Sequence, residues 1–117
     1  PVSHGEHMYL LRYRKGQQYK QHHDSFDPKL AESLGLNITE TMGRAGARVA
    51  TVILYLQAPE EGGATRFPLL GLDVSPRAGD ALLFWTFGPD NEFVMESLHA
   101  GQPVERGEKY IATKWLR

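Results

Sequence analysis

The chain predicts an all-β barrel or sandwich with little helix. Twelve Gly and seven Pro are spread between short apolar runs, so its strands must be short and joined by tight turns. Several of those runs alternate in polarity or are rich in β-branched and aromatic residues, as half-buried strands are. Only one stretch, 27–47, opens on a helix-start signal. At 117 residues the chain reads as a single domain, 1–117, large enough for a real core but not for a second lobe.

In order, Met8–Tyr13 and Tyr19–Phe26 are the first two candidate strands, with Lys15-Gly16 as the turn between them. Asp27-Pro28 then looks like a helix start, and Lys29–Leu34 can form one short helix. Gly35, Asn37, Gly43 and Gly46 argue against a longer one. The segment 27–47 is therefore an excursion, read either as a lid over a site or as a plain surface loop. Val49–Gln57 is the longest early strand, closed by the turn Glu61-Gly62-Gly63. Asp73–Ser75, Ala81–Thr86, Ser97–Ala100 and Lys109–Leu116 follow as strands. The turns Pro76-Arg77-Ala78-Gly79, Gly88-Pro89-Asp90 and Arg106-Gly107 lie between them.

Composition narrows the functions. Hydrophobic residues are 41% and charged residues 23%, ordinary for a globular protein. A net charge of −1 gives no reason to expect a nucleic acid or an anionic membrane as partner. No apolar run approaches the roughly 20 residues of a membrane-spanning helix. The absence of Cys excludes disulfides, thiolate ligands and a cysteine nucleophile. Without a signal-peptide pattern at the start, this favours a cytoplasmic setting, with a disulfide-free secreted protein as the other reading.

The chemistry lies in a few residues. His22 and Asp24 stand one residue apart, His99 is distant, and Lys109 follows it on the last strand. On a strand His22 and Asp24 share one face while His23 points to the other. Two histidines and one carboxylate form the facial triad of non-haem Fe(II) oxygenases, which leaves positions open for a chelator and dioxygen. With Fe(II) the site carries about +1 charge and attracts an anionic chelator. In the last strand Lys109, Ile111, Thr113 and Trp115 share one face. That face puts a charge among apolar groups, and a buried ammonium needs a partner. A histidine-x-aspartate pair alone is weak evidence, since most histidines serve surface or core. His23, His4 and His7 compete as ligands, but His23 faces away, and His4 and His7 sit near an end expected to fray.

Other chemistries fit worse. The chain has no His-Glu-x-x-His helix, no Gly-x-Ser-x-Gly elbow and no strand-to-helix phosphate loop. Trp85, Trp115 and the tyrosines have no basic stripe beside them, so most read as core.

The blocks YRKGQQYKQHHDSF (13–26), RVATVILYLQAPEEGGATRFP (48–68), VSPRAGDALLFW (74–85) and SLHAGQPVERGEKYIATKWLR (97–117) together resemble the prolyl 4-hydroxylases. These are Fe(II)- and 2-oxoglutarate-dependent dioxygenases. The resemblance implies a double-stranded β-helix, or jelly roll. It implies iron held by His22, Asp24 and His99, with Lys109 pairing the distal carboxylate of 2-oxoglutarate. It places Tyr13 and Thr65 within hydrogen-bonding reach of that carboxylate and makes Trp115 a wall of the pocket. Arg48 and Tyr19 match positions near a peptide substrate. The implied reaction is hydroxylation of proline at carbon 4 in a peptide or protein, using dioxygen and ascorbate and converting 2-oxoglutarate to succinate and CO2.

The chain departs from the family at Gln102, where relatives often have a cysteine, and at Ala64 and Arg66, which flank Thr65. It also begins close to the first motif strand, where relatives carry further helices. Either this is a compact version or an N-terminal part lies outside the chain. Two other functions stay open. One keeps the chemistry but takes a free amino acid, whose charged ends Arg44, Arg48 and Arg66 could hold. The other is a catalytically silent jelly-roll binding module, against which the intact His22, Asp24, His99 and Lys109 count.

Overall fold

The computed structural model describes residues 2–38, 45–75 and 77–117. Part of the expected excursion, including Gly43 and Arg44, and Pro76 of one expected turn lie outside them. Two four-stranded antiparallel sheets face each other. The larger runs in the order β1 (Tyr9–Tyr13), β10 (Lys109–Leu116), β3 (Ala50–Gln57), β7 (Ala81–Trp85). The smaller runs β2 (Tyr19–His22), β8 (His99–Gly101), β5 (Thr65–Phe67), β6 (Leu72–Val74). A two-stranded ribbon joins β4 (Glu61–Gly62) to β9 (Val104–Arg106). This is the expected jelly roll.

Register in the larger sheet explains what faces the interior. Ile111 of β10 lies opposite Leu11 and Tyr55, Thr113 opposite Tyr9 and Ile53, and Trp115 opposite Thr51. Ile53, Tyr55 and Ile111 form the buried core cluster, with Leu11, Tyr13, Leu82 and Phe84 packed on it. Because strand side chains alternate, the same register carries Lys109 inward opposite Tyr13. The outer face leaves Leu10, Leu83 and Trp85 exposed, which is much apolar surface for a free sheet.

Several boundaries differ from the sequence reading. β2 ends at His22 instead of Phe26, and Asp24 lies on the bend that follows. The alternation argument for His22 and Asp24 thus reached the right convergence by the wrong route. Ser97 belongs to a short 3-10 turn, Met95–Ser97, and the strand begins at His99. Three short strands, β4, β5 and β9, were missed because each has two or three residues, too few to display a period.

The helix α1 runs Pro28–Ser33, one residue ahead of expectation. Asp27 caps it by accepting a 2.9 Å hydrogen bond from the Lys29 amide, and proline suits its first turn. Residues 4–6, near the end expected to fray, are tied to the C-terminal strand. Gly5 bridges Leu116, the Glu6 amide donates to Trp115, and the Arg117 amide donates to His4. Among the described residues no helix is long and apolar enough to cross a membrane.

Candidate active site

His22 and His99 are register partners on β2 and β8, so their rings meet with centroids 4.4 Å apart. Each ring is turned by its own backbone. His22 Nδ1 lies 2.7 Å from the Lys20 carbonyl, and His99 Nδ1 lies 2.8 Å from that of Ser97. A carbonyl only accepts, so Nδ1 of each carries the proton and Nε2 offers its lone pair. Both Nε2 atoms point at Asp24 Oδ1, 3.2 Å from His22 and 3.7 Å from His99. One ligand atom from each of the three residues fits within 4.8 Å. Two neutral imidazoles and one carboxylate suit a divalent first-row metal such as Fe(II).

Local charge reinforces the arrangement. Burial alone would raise the Asp24 carboxyl, but the His22 and His99 rings, which stabilise the carboxylate when protonated, and the hydrogen bonds from Thr51 and Trp115 together bring it down to about 2. It is a carboxylate at any working pH. In return Asp24 opposes the effect of burial on His22, whose pKa is raised. Burial lowers the pKa of His99, whose ring sits against Phe84 and Phe67 at 4.7 and 5.7 Å, and so favours the neutral form that binds metals. Thr51 Oγ1 donates to Asp24 Oδ2 at 2.6 Å and Trp115 Nε1 donates to the same oxygen at 3.0 Å.

The other end of the cavity belongs to Lys109. Its side chain is 3% exposed, and its Nζ donates to the Gly63 carbonyl at 2.7 Å. The rings of Tyr13 and Tyr55 lie 5.4 and 5.7 Å from Nζ, close enough for a weak cation–π attraction. Among the described residues no carboxylate is within ion-pair reach of it, and burial lowers its pKa to about 8. An ammonium held dry without a counter-ion is costly by itself and becomes favourable when an anion enters. Thr65 Oγ1 and Tyr55 Oη share a 2.8 Å hydrogen bond nearby.

His22, Asp24, His99, Lys109, Tyr13, Thr65, Trp115 and Tyr19 all line one cavity of about 170 Å³ between the sheets. The structure brings these eight residues, all singled out in the sequence, around one space. Arg48 is the exception. Its guanidinium forms a two-bond pair with Glu6, at 2.6 and 2.9 Å, and lies 3.8 Å over the Trp115 ring. It touches the outer side of that wall and is not among the residues lining the cavity. Arg66 faces Asp73 at 3.7 Å on the surface, also away from the cavity. His23 turns away as expected, bonded to the Met95 carbonyl and stacked near Phe93.

Thr51, Tyr55 and the Gly63 carbonyl were not foreseen. Thr51 had a signal, since it is the polar member of the inward set Thr51, Ile53, Tyr55 on an apolar strand. Gly63 had less. Its φ of +70° and the 2.8 Å approach a Cβ would make to Pro59 require glycine, but only the fold shows its carbonyl meeting Lys109. A larger cavity of about 850 Å³ is lined by apolar residues such as Leu70, Leu82 and Phe87. It holds none of the triad, so size is a poor guide here and the chemistry marks the smaller space.

The comparisons with known proteins agree with this geometry. Prolyl 4-hydroxylase 1 of Arabidopsis thaliana is 41% identical over 130 residues, which cover all of this chain and 42% of the relative. Prolyl 4-hydroxylase 5 of the same plant is 36% identical over 135 residues, 99% of this chain and 43% of the relative. The 2OG complex of the viral collagen prolyl hydroxylase from Paramecium Bursaria Chlorella virus-1 matches with a TM-score of 0.78 at 37% identity. That match covers 97% of this chain and 59% of the viral one. A Pseudomonas putida prolyl-4-hydroxylase matches with a TM-score of 0.61 at 27% identity, over 94% of this chain and 50% of that one. The chain thus spans less than half the length of these curated relatives. A family model matches residues 8–117, from the start of β1 to the end of β10 and so across every element that lines the cavity: the chain belongs to the 2OG-Fe(II) oxygenase superfamily.

Proposed function

We propose that the protein carrying this chain hydroxylates proline at carbon 4 in a peptide or protein, with Fe(II), 2-oxoglutarate and dioxygen, and with ascorbate sustaining the iron. The observation that carries the reading is one cavity with the converged His22, Asp24 and His99 at one end and, at the other, the Lys109 ammonium, which has no carboxylate partner among the described residues. The similarity to prolyl 4-hydroxylases supplies the substrate class.

In this reading His22, Asp24 and His99 hold the iron, and Lys109 receives the distal carboxylate of 2-oxoglutarate. When bound, Fe(II) with 2-oxoglutarate and dioxygen supplies the oxidising power that turns a substrate C–H into C–OH, releasing succinate and CO2. The chain's own part is orientation and exclusion of water. Lys109 anchors an anion by a charge-assisted bond, which fixes the direction in which the co-substrate lies. Tyr13 and Thr65 line the same end and offer hydroxyls to that carboxylate. Ile53, Ile111 and Thr113 keep the middle of the cavity mostly apolar. Tyr19, half-exposed and 4.2 Å from the His22 ring, stands at the mouth, where a peptide would enter.

A free amino acid would need fixed charges for its two ends. Arg48 and Arg66 are engaged elsewhere, and Arg44 lies outside the described residues, so the peptide reading is preferred.

The test is mass spectrometry of a proline-rich peptide incubated with the full-length protein, Fe(II), ascorbate and 2-oxoglutarate, with succinate measured in parallel. The expected result is a gain of one oxygen atom on proline with matching succinate. Succinate without peptide oxidation would overturn the peptide substrate. Neither product, together with no Fe(II) binding, would overturn the enzyme.

A further inference from the structure

The two oxygens of Asp24 have different surroundings. Oδ1 faces the Nε2 atoms of both histidines. Oδ2 points the other way and receives two hydrogen bonds, from Thr51 Oγ1 at 2.6 Å and from Trp115 Nε1 at 3.0 Å. The two donors are neighbours because Thr51 and Trp115 are cross-strand partners on β3 and β10, roughly 5 Å apart at Cβ. One register therefore delivers a hydroxyl and an indole N–H to one oxygen.

Both donors are held rigidly. Thr51 is fully buried. The Trp115 indole is packed between the Tyr9 ring, centroid 4.9 Å away, and the Arg48 guanidinium at 3.8 Å. Glu6 in turn fixes Arg48 by its two-bond pair. Asp24 itself lies on a bend, outside strand pairing, so its side chain depends on these donors for its direction.

Resting on the functional reading above, we propose that Thr51 and Trp115 are positioning residues that confine Asp24 to binding the metal through Oδ1 alone. A carboxylate with one oxygen occupied by two donors cannot swing to chelate the metal with both. Each coordination position so spared remains open to the co-substrate. Thr51 and Trp115 thereby protect 2-oxoglutarate binding as well as metal affinity.

The test uses the full-length protein and three variants, Thr51→Val, Thr51→Ser and Trp115→Phe. Valine keeps the shape of threonine without the hydroxyl, serine keeps the hydroxyl, and phenylalanine keeps a ring without the N–H. Co(II) affinity is read from its visible absorption, whose intensity also reports coordination number. The charge-transfer band of the anaerobic Fe(II)–2-oxoglutarate complex reads co-substrate binding without turnover. Thr51→Val and Trp115→Phe are expected to lose about tenfold or more in metal affinity, with a larger loss for 2-oxoglutarate. Thr51→Ser is expected to stay near the parent.

Unchanged Co(II) and 2-oxoglutarate binding in Thr51→Val and Trp115→Phe would overturn the proposal. So would equal losses in Thr51→Val and Thr51→Ser, which would mean that packing, not the hydroxyl, matters. Failure of the parent itself to bind Co(II) or Fe(II) would instead overturn the underlying metal site. The two failures are thus distinguishable.

Discussion

The two ends of the cavity are built on different principles. The histidine end is assembled from short, interrupted pieces: β2 with four residues, β8 with three, and the bend that carries Asp24. Its charges are satisfied from within, by carbonyls on each Nδ1 and donors on Asp24 Oδ2. The lysine end sits on β10, eight residues long and paired on both sides, yet among the described residues its charge has only a carbonyl and two ring faces as partners. An interrupted frame holds a satisfied cluster, and one long strand holds a cation with no carboxylate partner among the described residues. The fold thus sets its buried cation on one of the two long central strands of the larger sheet.

The sharpest way to break this comparison is at the histidine end. His99→Ala removes one of two nitrogen donors and is expected to abolish tight Fe(II) binding and turnover. Isothermal titration with Fe(II) under anaerobic conditions checks it, and normal hydroxylation by the variant would sink the triad. The apo fold should change less than the activity, because the histidine cluster is not part of the apolar core formed by Ile53, Tyr55 and Ile111.

The lysine end should show the opposite balance. Lys109→Met is expected to remove measurable 2-oxoglutarate binding while raising stability. A pKa brought from the usual 10.5 to about 8 implies a burial cost on the order of 3 kcal/mol at neutral pH. Losing the charged hydrogen bond to Gly63 offsets about 2 kcal/mol of that, so a net gain near 1 kcal/mol is expected. The sign follows from linkage: between about pH 8 and 10.5 the unfolded chain binds the proton more readily than the folded one. Parent stability therefore rises through that window, and its deficit against Lys109→Met should shrink there. Denaturant unfolding of both proteins at pH 7 and pH 10 checks this, and a destabilised variant at pH 7 would refute it.

The same contrast shows what was legible in the sequence. Lys109–Leu116 was read residue for residue because a long strand in mid-sheet displays its period, and that register alone placed Lys109 inward. The pairing of Thr65, Arg66 and Phe67 with β8 and β6 was not readable, since three residues after a Gly-Gly turn carry no periodicity. Asp24 was identified for its chemistry, though a bend rather than strand alternation brings it to the histidines. The Arg48–Glu6 pair was not readable, because its members are 42 residues apart and nothing local announces an ion pair of that kind. Chemistry-bearing residue types survive errors in secondary structure, whereas ion pairs between residues distant in sequence are visible only in the fold.

A smaller effect concerns pH. kcat/KM for 2-oxoglutarate reports the free enzyme, where the depressed Lys109 loses its charge above about pH 8. The profile is expected to fall by about tenfold per pH unit beyond that point. Steady-state rates at subsaturating 2-oxoglutarate, with peptide and Fe(II) saturating, give the curve. A profile that stays flat into the range of an ordinary lysine would remove Lys109 from co-substrate capture and leave the histidine end as the sole charged determinant.

The smallest effect sits between the two ends. Tyr55 is 1% exposed, and its hydroxyl shares a 2.8 Å hydrogen bond with Thr65. Its ring lies against Lys109. Tyr55→Phe keeps the ring and therefore the cation–π contact, but frees the Thr65 hydroxyl in a buried place. Losing the bond is expected to cost about 1 kcal/mol in denaturant unfolding. If Thr65 serves the co-substrate carboxylate, its freed hydroxyl turns to the ligand, and the apparent affinity for 2-oxoglutarate should change by no more than a few-fold. A loss as large as that of Lys109→Met would instead mean that Tyr55 fixes the lysine through Thr65, making the long strand insufficient to hold its own cation.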